Sequence, residues 1–154
     1  MKKFEFRFDK VINLREQREK EKEIALAEAQ RELSRALEEL EILKGRSRAC
    51  MTKMKIKRES KNISTEEMER YYQYLMFMQE MITKQKSVIA HAEKNVDMKR
   101  QQLLTASRET KKLQNLKEKK HGAYQIELTR KEQDHLDDLA SVFQSRIKEE
   151  KAWQ

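Results

Sequence analysis

Met68-Glu69-Arg70-Tyr71-Tyr72-Gln73-Tyr74-Leu75-Met76-Phe77-Met78-Gln79-Glu80-Met81-Ile82 opens a run in which apolar residues recur at steps of three and four. The series is Met68, Tyr71, Leu75, Met78 and Ile82, then Ile89, Ala92, Val96, Leu103, Ala106 and Leu113. One narrow apolar stripe on a long helix is the pattern of a coiled coil rather than of a globular core. The chain holds no proline and only two glycines, so nothing in its composition interrupts such a helix.

Just upstream, Asn62-Ile63-Ser64-Thr65-Glu66-Glu67-Met68 reads as a helix start. Ser64 is placed to cap the helix, Glu67 to reach back and complete a capping box, and Ile63 and Met68 to form a hydrophobic staple. Glu66 and Glu67 sit in the first turn, where the helix dipole favours acids. A helix of about 65–148 therefore follows a turn of about 59–64. An earlier helix, about 9–58, carries its own seam: Ile12, Leu26, Ala29, Leu33, Ala36, Leu40, Leu43, Cys50 and Met54. At 1.5 Å per residue the two helices are roughly 75 Å and 125 Å long.

A short turn makes neighbouring helices antiparallel. Facing residues should then have numbers that sum to about 121–122, which brings Leu43 to Met78, Leu40 to Ile82, Leu33 to Ile89, Ala29 to Ala92 and Leu26 to Val96. Two seams read independently agree over many layers, so the fold class is all-α: a long antiparallel two-helix coiled coil in one domain, its second helix overhanging the first. Between Arg15 and Glu23 the first seam is polar, Lys22 facing Lys99, and local fraying is expected there. Beyond about Lys119 the second helix outruns its partner, with Gly122 able to admit a bend. The overhang still carries Tyr124, Leu128, Leu136, Leu139, Val142, Phe143 and Ile147. Phe4, Phe6 and Phe8 lie at the same end and either pack on the overhang or help it bind a partner.

Composition narrows the function classes. Charged residues make up 40% of the chain and aromatic residues 6%, a balance typical of coiled coils. The in-phase apolar residues argue against disorder. No stretch approaches the run of about 20 apolar residues that spans a bilayer. The N-terminus lacks the apolar region of a signal peptide, and a single cysteine suits a reducing cytoplasm. His91, His121 and His135 are far apart, and no phosphate-binding glycine loop is present. The chain reads as a non-enzyme without metal or cofactor. The net charge of +8 is concentrated between Lys44 and Lys61, where eight Lys/Arg face one acid, Glu59. A solvated face is the plainest account of it, with nucleic acid or an acidic protein partner as alternatives.

One feature exceeds what a hairpin needs. With Tyr71, Leu75 and Met78 on the seam, Tyr74, Phe77 and Met81 form a second apolar stripe, followed by Val88. Either the first helix widens its contact to cover the stripe, or the stripe is a docking surface for another protein.

Phe4-x-Phe6-Arg7-Phe8-x-Lys10-Val11-Ile12-x-Leu14-Arg15-Glu16, the Ile63-Ser64-Thr65 turn, Glu69-Arg70-Tyr71-Tyr72-Gln73-Tyr74 and the charged stretch Lys131–Ala140 follow one another in an order and spacing that resemble the flagellar export protein FliJ family. The resemblance covers nearly the whole chain. It implies a cytoplasmic stalk and adaptor, peripherally associated with the inner-membrane type III export apparatus, that links a hexameric export ATPase to the export gate protein FlhA and handles export chaperones. It further implies ATPase contacts through Phe4, Phe6, Phe8, Leu136, Leu139 and Phe143, and gate contacts through Tyr74, Phe77, Met81 and Gln85. Lys44 and Ser47 depart from the family's often apolar or aromatic residues at those positions. The equivalent stalk of a virulence-type secretion system, a basic nucleic-acid-binding hairpin and a self-associating structural coiled coil are the alternatives.

Overall fold

The computed structural model describes residues 4–152, with side chains described for residues 4–142. Two helices account for nearly all of them: α1, Asp9–Glu59, and α2, Thr65–Ala152. No strand occurs among the described residues. The helices pack against each other as a hairpin.

The turn shows why α1 stops. The Lys61 N–H donates to the Arg58 carbonyl and the Asn62 N–H to the Lys57 carbonyl, each at 3.2 Å. Those two bonds are a Schellman motif, which satisfies carbonyls at the end of a helix. The motif needs a left-handed residue, and Lys61 takes that conformation with φ 50°. Glycine usually stands at such a position because a Cβ is disfavoured there. Across the turn Ser64 caps α2 as expected: its Oγ accepts from the Glu67 N–H at 3.2 Å. The return half of the expected capping box is replaced by a tertiary contact, since the Glu67 carboxylate is bound to the Lys57 ammonium instead.

The chain divides into two compact units, Gln17–Ser107 and Met1–Glu16 with Arg108–Gln154. In the first, the seam of α1 is Lys22, Leu26, Ala29, Leu33, Ala36, Leu40, Leu43, Ser47, Cys50, Met54 and Lys57, and every member is buried or half-buried. On α2 it is Met68, Tyr71, Leu75, Met78, Ile82, Gln85, Ile89, Ala92, Val96, Lys99, Leu103 and Ala106, likewise buried or half-buried. Both series alternate steps of three and four without a gap, the heptad rule of knobs-into-holes packing. The residues that complete them beyond the apolar series are polar: Lys22, Ser47, Lys57, Gln85 and Lys99.

Ala36, Leu40, Ile82 and Ile89 form a buried cluster, with Leu33 and Leu43 packed against it. Burying a side chain such as Leu40 or Ile82 contributes roughly 1.5–3 kcal/mol. The Gln85 side chain donates to the Ala36 carbonyl at 2.8 Å, which fixes the register at a sum of 121. Where fraying was expected, both helices stay unbroken. Glu19, Lys22 and Lys99 are half-buried in those layers, and Lys22 Nζ reaches Gln102 at 3.4 Å.

In the other unit Phe6, Ile12 and Thr110 are buried, Thr110 to 2% exposure. Polar pairs flank them: Arg15 with Glu109 at 2.6 Å, Gln114 with Glu16 at 2.9 Å and Lys117 with Asp9 at 2.8 Å. Phe4 packs its ring on His121 at 5.0 Å and on Tyr124 at 5.5 Å. α2 continues through Gly122 without a break, and a Cβ at Gly122 would meet nothing within 4 Å. Past half-buried Leu128, every residue to Val142 is exposed.

Candidate partner-binding surfaces

The turn-proximal part of unit Gln17–Ser107 holds the first surface. Arg46, Ala49, Cys50 and Lys53 make one column of α1, and Glu67, Arg70, Tyr71 and Tyr74 the matching column of α2. The same spacing of three, one and three puts each set on one helical face beside the seam. Together they line a shallow groove of about 550 Å³. Its floor is the free thiol residue Cys50, which is buried, and half-buried Tyr71.

At the groove's edge the Lys57 ammonium binds the Glu67 carboxylate and lies 6.0 Å over the Tyr71 ring. The hydrogen bond from Lys57 holds the Glu67 carboxyl below the ordinary carboxylate range, and the charge of Arg70 adds to the effect. The same bond pushes Lys57 above its ordinary value. This pair is spent within the hairpin. Arg46 and Lys53, by contrast, have no ion-pair partner among the described residues.

The second apolar stripe begins at the groove. α1 does not cover it: Tyr74 is 40% exposed and Phe77 53%, and Val88 is likewise exposed. Met81 is half-buried. Gln85, which the family resemblance groups with them, is half-buried on the seam, and its amide is engaged by the Ala36 carbonyl. The structure thus brings Tyr74, Phe77 and Met81 to one surface and places Gln85 inside the hairpin.

The second surface lies in the unit that contains the N-terminus. Phe6 is buried, half-buried Phe8 meets its ring at 5.6 Å, and half-buried Phe4 covers His121 and Tyr124. The three phenylalanines are therefore largely consumed by packing, Phe6 most completely. Leu136 at 63% exposure and Leu139 at 52% are open, as are Ile126 and Val142. The side chain of Phe143 lies outside the described residues. A groove of about 750 Å³ in this unit is lined by Phe4, Ile12, His121, the Asp9–Lys117 ion pair, Glu16 with its Gln114 hydrogen bond, and Glu118.

Among the described residues no three His, Cys, Asp or Glu side chains gather as metal ligands. No helix there is long and apolar enough to cross a membrane.

The family model for the flagellar FliJ protein matches residues 4–148, which takes in α1, the turn and α2 as far as residue 148. The chain belongs to the FliJ family. It is a flagellar export-related protein of a family whose members are non-enzymatic components of the export machinery. No curated protein and no solved structure matches the chain.

The groove cations Arg46, Lys53 and Arg70 were missed as a site by sequence reading, although their signal was present. All belong to columns offset from the seams by one position, and the charge run of Lys44–Lys61 contains two of them. Only the apposition of the two helices joins the basic column of α1 and the Arg70–Tyr74 column of α2 into one concave surface.

Proposed function

We propose that this FliJ-family chain is a non-enzymatic stalk and adaptor of the flagellar export apparatus. The observation that carries this reading is the exposed apolar end of α2, where Leu136, Leu139 and Val142 have no covering side chain among the described residues. An amphipathic helix left without a partner in its own chain takes one from another. In this reading the end of α2 engages the hexameric export ATPase, with Leu136, Leu139 and Phe143 as contacts and Phe4 at the margin. Tyr74, Phe77 and Met81 face the export gate protein FlhA, and the hairpin also handles export chaperones. The protein acts in the cytoplasm, peripherally associated with the inner-membrane apparatus.

The test is a pull-down with the cognate export ATPase and with the cytoplasmic region of the gate protein. Leu136→Asp with Leu139→Asp should abolish capture of the ATPase and spare the gate. Tyr74→Ala with Phe77→Ala should do the reverse. Loss of neither interaction in either variant sinks the assignment, and capture of neither partner by the unaltered chain sinks the function.

A further inference from the structure

The groove beside the turn carries more than apolar surface. Arg46 and Lys53 project from α1, and Arg70, Tyr71 and Tyr74 from α2. Against three cations the lining holds one acid, Glu67, and that carboxylate is already bound to Lys57. Arg46 and Lys53 have no ion-pair partner among the described residues. A larger concave surface, in the N-terminal unit, holds three acids, Asp9, Glu16 and Glu118, against one lysine, Lys117, which is paired with Asp9. Charge left unmatched in a cleft with an apolar floor focuses a positive potential. The floor at Cys50 and Tyr71 and the exposed Tyr74 at its edge, from which the stripe continues to exposed Phe77, suit a ridge of side chains. A flat lipid surface would meet the edge and leave the floor empty. Helix-in-groove recognition uses this combination of an apolar stripe and flanking charges.

We propose that this groove binds an acidic, amphipathic helical segment of a partner protein. One apolar side chain of that segment sits over Cys50 and Tyr71, and its carboxylates reach Arg46, Lys53 and Arg70. As a description of the gate-facing surface, the proposal rests on the reading that Tyr74, Phe77 and Met81 contact the export gate. It adds the chemistry that the gate segment must present.

The test has two arms, both with the full chain. In the first, a designed helical peptide of about 20 residues, long enough to be helical in water, carries a leucine stripe flanked by glutamates. A matched peptide replaces every glutamate with glutamine, and binding is read by fluorescence anisotropy. The glutamate peptide should bind, and binding should weaken as salt rises. Arg46→Glu with Lys53→Glu should weaken it by about tenfold or more, and Arg46→Gln with Lys53→Gln by a smaller factor. Circular dichroism checks that the helices persist, and the glutamine pair carries the test if charge reversal disturbs them. The glutamine peptide should bind no better than the reversed variant binds the glutamate one. Equal binding of both peptides, or indifference to Arg46 and Lys53, overturns the proposal. So does capture of phosphatidylglycerol vesicles or duplex RNA through the same two residues with no peptide binding.

The second arm uses the gate's cytoplasmic region. If it binds the unaltered and reversed chains equally well, the gate reading stands and the acidic-segment proposal falls. If it fails to bind while the glutamate peptide does, the gate reading falls and the groove's preference stands.

Discussion

The side-chain amide of Gln85 donates a hydrogen bond to the backbone carbonyl of Ala36, 2.8 Å away on the facing helix. Gln85 occupies a seam position between Ile82 and Ile89, both in the buried cluster of the hairpin. A polar group at one seam position costs stability and specifies register. Gln85→Ala should lower stability by about 1 kcal/mol through loss of the bond and of packing. Gln85→Leu should raise it above the unaltered chain, because a half-buried amide gives way to apolar volume. Urea midpoints in the order alanine, glutamine, leucine check both statements.

Ala29 is buried to 3% exposure at a layer that the register assigns opposite Ala92. Small residues at such a layer let the helices approach, and a larger side chain must push them apart. Ala29→Leu should destabilise by about 1–3 kcal/mol although leucine is the better seam residue by composition. A rise in thermal midpoint would contradict a close approach at this layer.

Lys61 sits in the left-handed region at the end of α1 without the glycine that suits it. Lys61→Gly should stabilise the hairpin by about 1 kcal/mol. Gly45 and Gly122 present the opposite case. Both lie inside helices, neither has a positive φ, and an added Cβ would meet nothing within 4 Å. Gly45→Ala and Gly122→Ala should each add up to about 1 kcal/mol. Thermal melts of the three variants are the measurement.

The ion pair of Lys57 and Glu67 makes the turn sensitive to pH. Hydrogen bonding to Lys57 lowers the Glu67 pKa in the folded chain. Its contribution is therefore present above the unfolded carboxylate value, about 4.3, and is lost as pH falls through the lowered one. Lys57 is raised by the same bond, so its share is present below the ordinary lysine value and is lost as pH climbs through the raised one. Glu67→Gln should flatten the acid side of the stability–pH profile relative to the unaltered chain. Identical profiles would show that the pair does nothing for the fold.

Leu136 and Leu139 are exposed, so their replacement by aspartate should change the stability read from thermal melts by no more than about 0.5 kcal/mol. A large loss would mean that the end of α2 is covered within the folded chain, and the partner assignment would lose its basis.

Much of the hairpin is local in origin. A step of three and four is set by the helix itself, so Met78, Ile82, Ile89 and Val96 were legible as core before any partner helix was known, and all four are buried. The Ser64 cap is equally local, a side chain reaching a backbone N–H three residues on. What the neighbouring helix supplies could not be read this way. Gln85 and Thr110 carry no apolar signal, yet the heptad geometry places Gln85 on the seam and Thr110 in the core. The sequence assigns the Glu67 side chain to the cap, and tertiary proximity gives it to Lys57 instead. Phe6 and Phe4 look like free aromatic residues until α2 is laid against them. Helix position and phase follow from spacing along one chain segment. Which polar side chain is buried, which aromatic is consumed and where two helical columns enclose a groove depend on a second segment many residues away, and only tertiary packing decides those.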